Sequence, residues 1–216
     1  MSQTPSPQSA TALIVVDVQN DFCPGGALAV PHGDQVVPAI NALARGFEHV
    51  VLTQDWHPRG HVSFASTHPG RAAFESLALP DGEQVLWPEH CVQGTVGAAL
   101  HPGLRIDHAQ LVIRKGLRQG IDSYSAFVEA DRKTTTGLEA YLRAHGIGQV
   151  FVCGLATDFC VAWTALDARA AGFAVTVVEG ACRGIGLGTS LEDAWTAMQA
   201  AGVARVTGTV SIGQAV

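Results

Sequence analysis

The sequence predicts an α/β protein with a mainly parallel six-stranded sheet and helices on both of its faces. Three observations predict this: short unbroken apolar runs recur along the chain, amphipathic helical stretches separate most of them, and reactive polar residues stand at the ends of several runs. With 216 residues, 47% of them hydrophobic, the chain can fill one continuous core.

Residues 1–11 are polar and contain Pro and Ser, without the basic start and apolar stretch of a secretory signal, and are expected to be a loose tail before one domain over residues 12–216. Ala12 to Val16 (ALIVV) has the look of a central strand buried on both faces, with Asp17 at its C-terminal tip. After a loop holding Cys23-Pro24-Gly25-Gly26, Asp34 is the expected cap of a helix whose Val36, Val37, Ile40, Leu43 and Ala44 share one face. His49 to Thr53 follows as a second strand, and Leu111 to Ile113, just before Lys115, as a third. A helix is expected from about Thr136 to His145, then the strand Val150 to Cys153 and a turn at Gly154. Thr157 and Asp158 have helix-start character ahead of an Ala-rich periodicity that runs through Arg169. The strand Ala174 to Val178, a helix over about Ser190 to Ala201 and a short strand Ala204 to Thr207 complete the alternation.

Between Asp55 and His108 the pattern fails. That segment carries six of the nine histidines (57, 61, 68, 90, 101 and 108), so a long irregular loop here is expected to serve function.

Charge and cysteine usage exclude several roles. A net charge of −6, a pI near 5.8 and the lack of any Lys/Arg run offer no footing for nucleic acid or an anionic membrane. No apolar run approaches the length of a membrane span. Five cysteines, with no CxxC pair, suggest neither a disulfide framework nor a thiolate zinc ribbon, and favour a reducing cytoplasm. A small soluble substrate is expected, while monomer and homo-oligomer both stay open.

Cys160 would open the helix after the fourth strand, where free N–H groups and the macrodipole favour a thiolate. Cys153, inside the apolar run, has the character of a core residue. In an open parallel sheet, ligands bind at the carboxyl ends of the strands, and Asp17, Lys115 and Cys160 all fall at such ends. Their types are complementary: a thiolate to attack a carbonyl carbon, an ammonium to lower its energy, and a carboxylate to take the thiol proton and return it to a leaving amine. Asp55, His57 and His61 lie within seven residues, and His90 follows in Trp87-Pro88-Glu89-His90-Cys91. One carboxylate with several imidazoles suits one divalent ion, Zn²⁺ first, with Fe²⁺ or Mn²⁺ as alternatives. On spacing alone, ordinary loop histidines that pack and hydrogen-bond remain an equal reading.

The phrases Asp17-Val18-Gln19-Asn20-Asp21-Phe22, Lys115-Gly116 and Gly154-Leu155-Ala156-Thr157-Asp158-Phe159-Cys160-Val161 closely resemble the nicotinamidase branch of the isochorismatase-like cysteine hydrolases, over about Leu13 to Thr207. The resemblance implies a three-layer α/β/α fold and an Asp17-Lys115-Cys160 triad. It implies a cis peptide between Leu155 and Ala156, with the N–H groups of Ala156 and Cys160 forming an oxyanion hole. It also implies a metal held by Asp55, His57, His61 and His90 that receives a pyridine ring nitrogen. Phe22 and Trp87 would stack on the ring, Leu155 and Ala156 would border the substrate, and Tyr124 lies on a loop that would reach the same pocket. His68, His101 and His108 match nothing and are expected at the surface or in support. The implied activity is hydrolysis of nicotinamide to nicotinate and ammonia in NAD salvage, with pyrazinamide also accepted. Two rivals are a cysteine hydrolase of another small amide or N-carbamoyl compound, and a non-catalytic binding protein that keeps the fold.

Overall fold

The computed structural model describes residues 10–208. Its first strand, β1 (Ala10–Val16), is buried from Ala12 onward, as an unbroken apolar run must be when helices or loops cover both faces. Then come α1 (Val36–Ala44), β2 (His49–Asp55), a small hairpin of β3 (Ser76–Leu79) and β4 (Gly82–Val85), and β5 (Leu111–Lys115). The second half of the chain supplies α2 (Leu138–Ala144), β6 (Ile147–Leu155), α3 (Ala162–Ala170), β7 (Ala174–Arg183), α4 (Ser190–Ala200) and β8 (Ala204–Val206). Six strands form one sheet in the order β5-β2-β1-β6-β7-β8, and every neighbouring pair in it is parallel. Right-handed crossovers then put α1, which leads from β1 leftward to β2, on the face opposite α3 and α4, which lead rightward. The result is the expected α/β/α layering.

Strand order reverses between β1 and β6, and this switch point sets the site. Val16 pairs with Gly154 across it. A side chain at Gly154, whose φ is +117°, would run into the Val16 carbonyl, so the close approach of the two central strands needs glycine there. Two strands away, Asp55 pairs with Lys115 at the same carboxyl end of the sheet. The register therefore brings Asp17, Asp55, Lys115 and the residues after Leu155 to one rim.

Some boundaries differ from expectation. Residues 1–9 of the expected tail lie outside the described residues, but Ala10 and Thr11 already belong to β1, where they pair with Ile147 and Gln149. Neither Asp34 nor Thr157 nor Asp158 caps a helix through its side chain. Instead α1 grows out of a 3-10 turn (Gly33–Gln35) and α3 out of a π-helical turn (Thr157–Val161), and Asp158 spends its carboxylate elsewhere. It accepts from the Ile185 and Gly186 N–H groups (2.9 and 2.8 Å) and from Ser190 Oγ (2.6 Å), tying the start of α4 to the turn that holds Cys160. The hairpin β3–β4 was hidden in the irregular segment. Its turn signal, Pro80-Asp81-Gly82, is present, but its strands are largely exposed and carry little hydrophobic alternation. Among the described residues no helix is long and apolar enough to cross a membrane.

Candidate active site

Asp17 leaves β1 in a left-handed conformation (φ +46°), which aspartate tolerates better than most residues. Its N–H donates to Thr53 Oγ1 (3.1 Å), and the Thr53 hydroxyl donates back to Asp17 Oδ1, so β2 holds the carboxylate at the rim. Lys115, fully buried, extends its ammonium into the centre of the cluster. Nζ lies 2.9 Å from Asp17 Oδ2 and 3.3 Å from Cys160 Sγ, donates to the Ser123 carbonyl (2.9 Å), and pairs with Asp55 Oδ1. Carboxylate oxygens of Asp17 and Asp55 and the Cys160 sulfur all lie within 4.8 Å of one another. Three distant stretches of chain thus meet at one ammonium.

Burial and charge compete at each of these groups. At Lys115 burial opposes the ammonium, but Asp17, Asp55 and Cys160 outweigh it and hold the pKa well above the usual lysine range. Asp55 is likewise opposed by burial, yet Lys115, His57 and His90 keep it ionised and well below the usual carboxylate range. Asp17 goes the other way: burial, aided by the neighbouring Asp55 charge, raises its pKa despite Lys115 and Thr53. Cys160 is pushed well above a normal thiol, first by burial and then by Asp17 and Asp55, with Lys115 opposing. The expected benefit of a helix start to the thiolate is therefore outweighed, and Asp17 keeps its expected place as the group that can take the thiol proton. Cys160 sits in the π-helical turn ahead of α3, only 5% exposed, so desolvation exceeds any benefit of a helix start. The resting pair is a thiol beside a carboxylate of raised proton affinity. Asp17 Oδ2, near the ammonium but without an aligned hydrogen bond, has a lone pair free for that proton.

The Leu155–Ala156 peptide is cis, as expected. The Ala156 carbonyl accepts the N–H groups of Phe159 and Val161 (both 3.1 Å), which closes the turn on either side of Cys160. Leu155 is fully buried, lying against Gly33, and Ala156 is buried beside the nucleophile's turn.

Of the four expected metal ligands, three converge. Asp55 Oδ2 lies 3.7 Å from His57 Nε2 and 4.0 Å from His90 Nε2. His57 Nδ1 faces the Gly116 carbonyl (3.1 Å) and His90 Nδ1 the Pro88 carbonyl (2.8 Å). A carbonyl only accepts, so each Nδ1 carries hydrogen and each Nε2 can present a lone pair toward Asp55. A carboxylate and two oriented imidazoles form a donor set that fits a divalent ion of the zinc, iron or manganese kind. Gly116 (φ +61°) makes this possible, because a Cβ there would strike the His57 ring. His61, the expected fourth ligand, does not join this group. Its Nε2 donates to the Ile121 carbonyl (3.2 Å) and its Nδ1 accepts from Ser63 Oγ (2.7 Å), while its ring stacks on His57 at 4.1 Å. Both nitrogens are therefore engaged, and it groups with His57 and Asp122 instead.

Burial lowers the pKa of both His61 and His90 to about 4, helped by repulsion from His57. His57 is raised, because Asp55 overcomes the cost of burial.

The aromatic residues named from the sequence lie near His90 and Phe159. Phe22 is buried with its ring 5.5 Å from His90. Trp87 is buried, donates from Nε1 to Tyr124 Oη (3.0 Å), and meets Phe159 edge-on at 4.9 Å. Phe159, next to Cys160 in the chain and 5.6 Å from the Tyr124 ring, belongs to the same aromatic group and was not singled out from the sequence. His68 and His101 bond to backbone of their own loops, His108 bonds to the Ala44 carbonyl at the end of α1, and all three stay out of the cluster.

Other supporting residues were also missed. Gln19 is fully buried; its amide donates to the carbonyls of Asp55 and Ala98 (2.8 Å each) and accepts from the Asp55 N–H (2.8 Å). It lies in the quoted Asp17-Val18-Gln19 phrase, which was the available signal. Asp21 joins the same loops, accepting from the Cys91 N–H (2.7 Å), next to His90. Asp122 left no local signal.

The chain is similar to known proteins in both sequence and fold. The isochorismatase domain profile matches residues 11–210. The chain is 57% identical to a nicotinamidase of Acinetobacter baylyi, over 90% of this chain and 91% of that one. Its structure resembles that of a nicotinamidase/pyrazinamidase of Acinetobacter baumanii (TM-score 0.91, 59% identity, 93% and 97% of the two chains). It also resembles a pyrazinamidase of Pyrococcus horikoshii solved in complex with zinc (TM-score 0.73, 38% identity, 91% and 98% of the two chains).

Proposed function

Because this chain belongs to the isochorismatase family, we infer that it is a nicotinamidase, hydrolysing nicotinamide to nicotinate and ammonia, and that it accepts pyrazinamide as well. The observation that carries this is the meeting of the Cys160 sulfur, the Lys115 ammonium and the Asp17 carboxylate beside an oriented Asp55/His57/His90 donor set. A divalent ion held by those three ligands, in our reading Zn²⁺ with Fe²⁺ or Mn²⁺ acceptable to the same donors, supplies a Lewis-acidic position for a pyridine nitrogen. An N-carbamoyl compound without such a nitrogen has no use for that position, which favours the pyridine amide.

In the reaction Asp17 takes the thiol proton as Cys160 Sγ bonds to the amide carbon. Lys115, 3.3 Å from the sulfur, offsets the negative charge as it develops, so the ionisation that burial suppresses at rest occurs only together with attack. The N–H groups of Ala156 and Cys160 receive the oxyanion. Asp17 then protonates the departing nitrogen, ammonia leaves, and a water deprotonated by Asp17 cleaves the thioester and restores the thiol. Phe22, Trp87, Tyr124 and Phe159 exclude bulk water and hold a flat ring. We place the activity in NAD salvage and in the cytoplasm, where the five unpaired cysteines are suited to a reducing environment.

The test is ammonia release from nicotinamide, measured as purified, after chelation, and after adding back Zn²⁺, Fe²⁺ or Mn²⁺. Release that chelation abolishes and a metal restores is expected. A metal-replete protein inert on nicotinamide but active on an N-carbamoyl amide would overturn the assignment.

A further inference from the structure

The reacting groups are sealed: Asp17 and Lys115 are fully buried and Cys160 is 5% exposed, so a substrate needs a way in. A cavity of about 500 Å³ lies between the β3–β4 hairpin and the loop from Gly120 to Arg132. Its inner wall includes Gln84, Asp122 and Tyr124. Tyr124 is bonded to Trp87, and Ser123, next to it in the chain, accepts from Lys115. One side-chain layer therefore separates the cavity from the reaction site.

That layer is held by weak bonds. Gln84 Nε2 has three oxygens in reach, Val85 O (2.7 Å), Asp122 Oδ2 (2.8 Å) and Tyr124 Oη (3.1 Å), but only two hydrogens to give. One partner is always surplus, and each bond contributes only about 1 kcal/mol net.

The outer part of the cavity is acidic. Asp81, on the hairpin turn, and Glu83, in β4, stand exposed at its rim, with Asp122 and Glu129 deeper. The lining guanidinium, Arg132, is committed to Asp167 through two bonds (3.0 and 2.6 Å). Glu129 is 5% exposed, and its Oε2 has no hydrogen-bond partner, the nearest cation being Arg118 at 3.7 Å. A buried oxygen left unbonded on a cavity wall is available to a passing donor such as a carboxamide N–H₂.

We propose that this cavity is the port to Cys160, that Gln84 and Tyr124 form its inner door, and that the rim carboxylates favour neutral amides over carboxylate anions, the product acid among them. Gln84 is here a positioning residue and Asp81 and Glu83 determine specificity by field. A neutral carboxamide loses little on entering an acidic mouth, whereas an anion is repelled there, so hydrolysis converts a molecule the port admits into one it excludes. The identity of the excluded product rests on the nicotinamidase reading; the port itself does not.

The experiment uses two alkylating reagents of nearly the same shape, neutral iodoacetamide and anionic iodoacetate. In both, the Cys160 thiol gives its proton to Asp17, the sulfur bonds to the CH₂ carbon and iodide departs. Alkylation of the Cys160 peptide is followed by mass spectrometry and needs no turnover, so a failure here is distinct from a failure to hydrolyse nicotinamide. The double variant Asp81→Asn/Glu83→Gln, confined to exposed positions, is expected to speed iodoacetate about three- to tenfold at low salt while leaving iodoacetamide within about twofold. The gain should vanish near 1 M salt, where the screening length falls to about 3 Å. Gln84→Ala is expected to speed both reagents alike, by about threefold or more, one hydrogen bond's worth of closure. An iodoacetate rate unmoved by the rim variant at low salt overturns the charge filter, and a Gln84→Ala protein alkylated no faster than the parent overturns the door.

Discussion

Asp17, Lys115 and Cys160 hang from the carboxyl ends of parallel strands, whereas Trp87, His90 and Asp122 come from irregular chain on either side of β5, and Gln84 from the small hairpin outside the large sheet. On the sheet side, position follows from register: Val16 opposite Gly154 and Asp55 opposite Lys115 leave the reacting groups no freedom, and every one of them is buried. On the loop side, position follows from individual hydrogen bonds, such as Gln84 to Asp122 or His90 to Pro88. The difference assigns them different work. The sheet side sets what reaction occurs and the loop side sets which molecule is held for it, so substitutions should divide between kcat and KM along the same line.

The largest effect should come from the sheet side. Cys160→Ala should lower kcat by about 10⁴-fold or more while leaving nicotinamide binding measurable by calorimetry, because only the covalent step is lost. A kcat near the parent value would break the comparison at its root. Lys115→Met should also inactivate, and in addition should unfold more easily. Removing the ammonium leaves two buried carboxylates unpaired, a cost of about 3–5 kcal/mol visible in urea titration.

Loop-side changes should be milder and should fall on binding. His90→Ala is expected to raise KM about 10- to 100-fold and to weaken metal retention by a similar factor. His61→Gln should change both constants by less than about threefold, since neither ring nitrogen faces the Asp55 group. If His61→Gln matched His90→Ala, the three-ligand reading would give way to a four-ligand one.

The histidines also set a pH dependence of stability in chelator-treated protein. His61 and His90 have folded pKa values of about 4, below the ordinary 6.5, so between those limits the unfolded chain binds protons that the folded chain refuses. Stability should be full above pH 6.5 and fall as pH drops toward 4. His57, shifted upward, acts only above 6.5 and with the opposite sign. Asp17, raised by burial, acts with the opposite sign above pH 3.8, so the comparison between variants is decisive: Tm measured by calorimetry from pH 7 to 4.5 should fall more steeply in the parent than in His90→Gln, and equal slopes would contradict the burial of the His90 ring.

This contrast also explains what was legible in the sequence. The strands of the large sheet announce themselves because burial on both faces demands unbroken apolar runs, and the polar residue ending each run is conspicuous. Asp17, Lys115 and Cys160, and the Asp55, His57 and His90 group with His61 counted as a fourth member, could be named from that pattern and from the quoted motifs. The hairpin β3–β4 could not, because an exposed two-stranded ribbon needs no hydrophobic period. Gln84 and Asp122 act through partners about 40 positions away, a relation no local spacing encodes. The raised proton affinity of Cys160 was not legible for a related reason, since position in a turn is visible in sequence but the depth of burial that opposes ionisation is not.

The claim on which all of this depends is that a covalent bond to Cys160 carries the acyl group. Acid-quenching the protein during nicotinamide turnover and mapping its five cysteines by mass spectrometry tests it directly. The account predicts a hydroxylamine-labile nicotinoyl group on Cys160, with Cys23, Cys91, Cys153 and Cys182 unmodified. Sustained ammonia release from protein whose Cys160 has been fully and irreversibly alkylated, or a nicotinoyl group found on another residue, would contradict it.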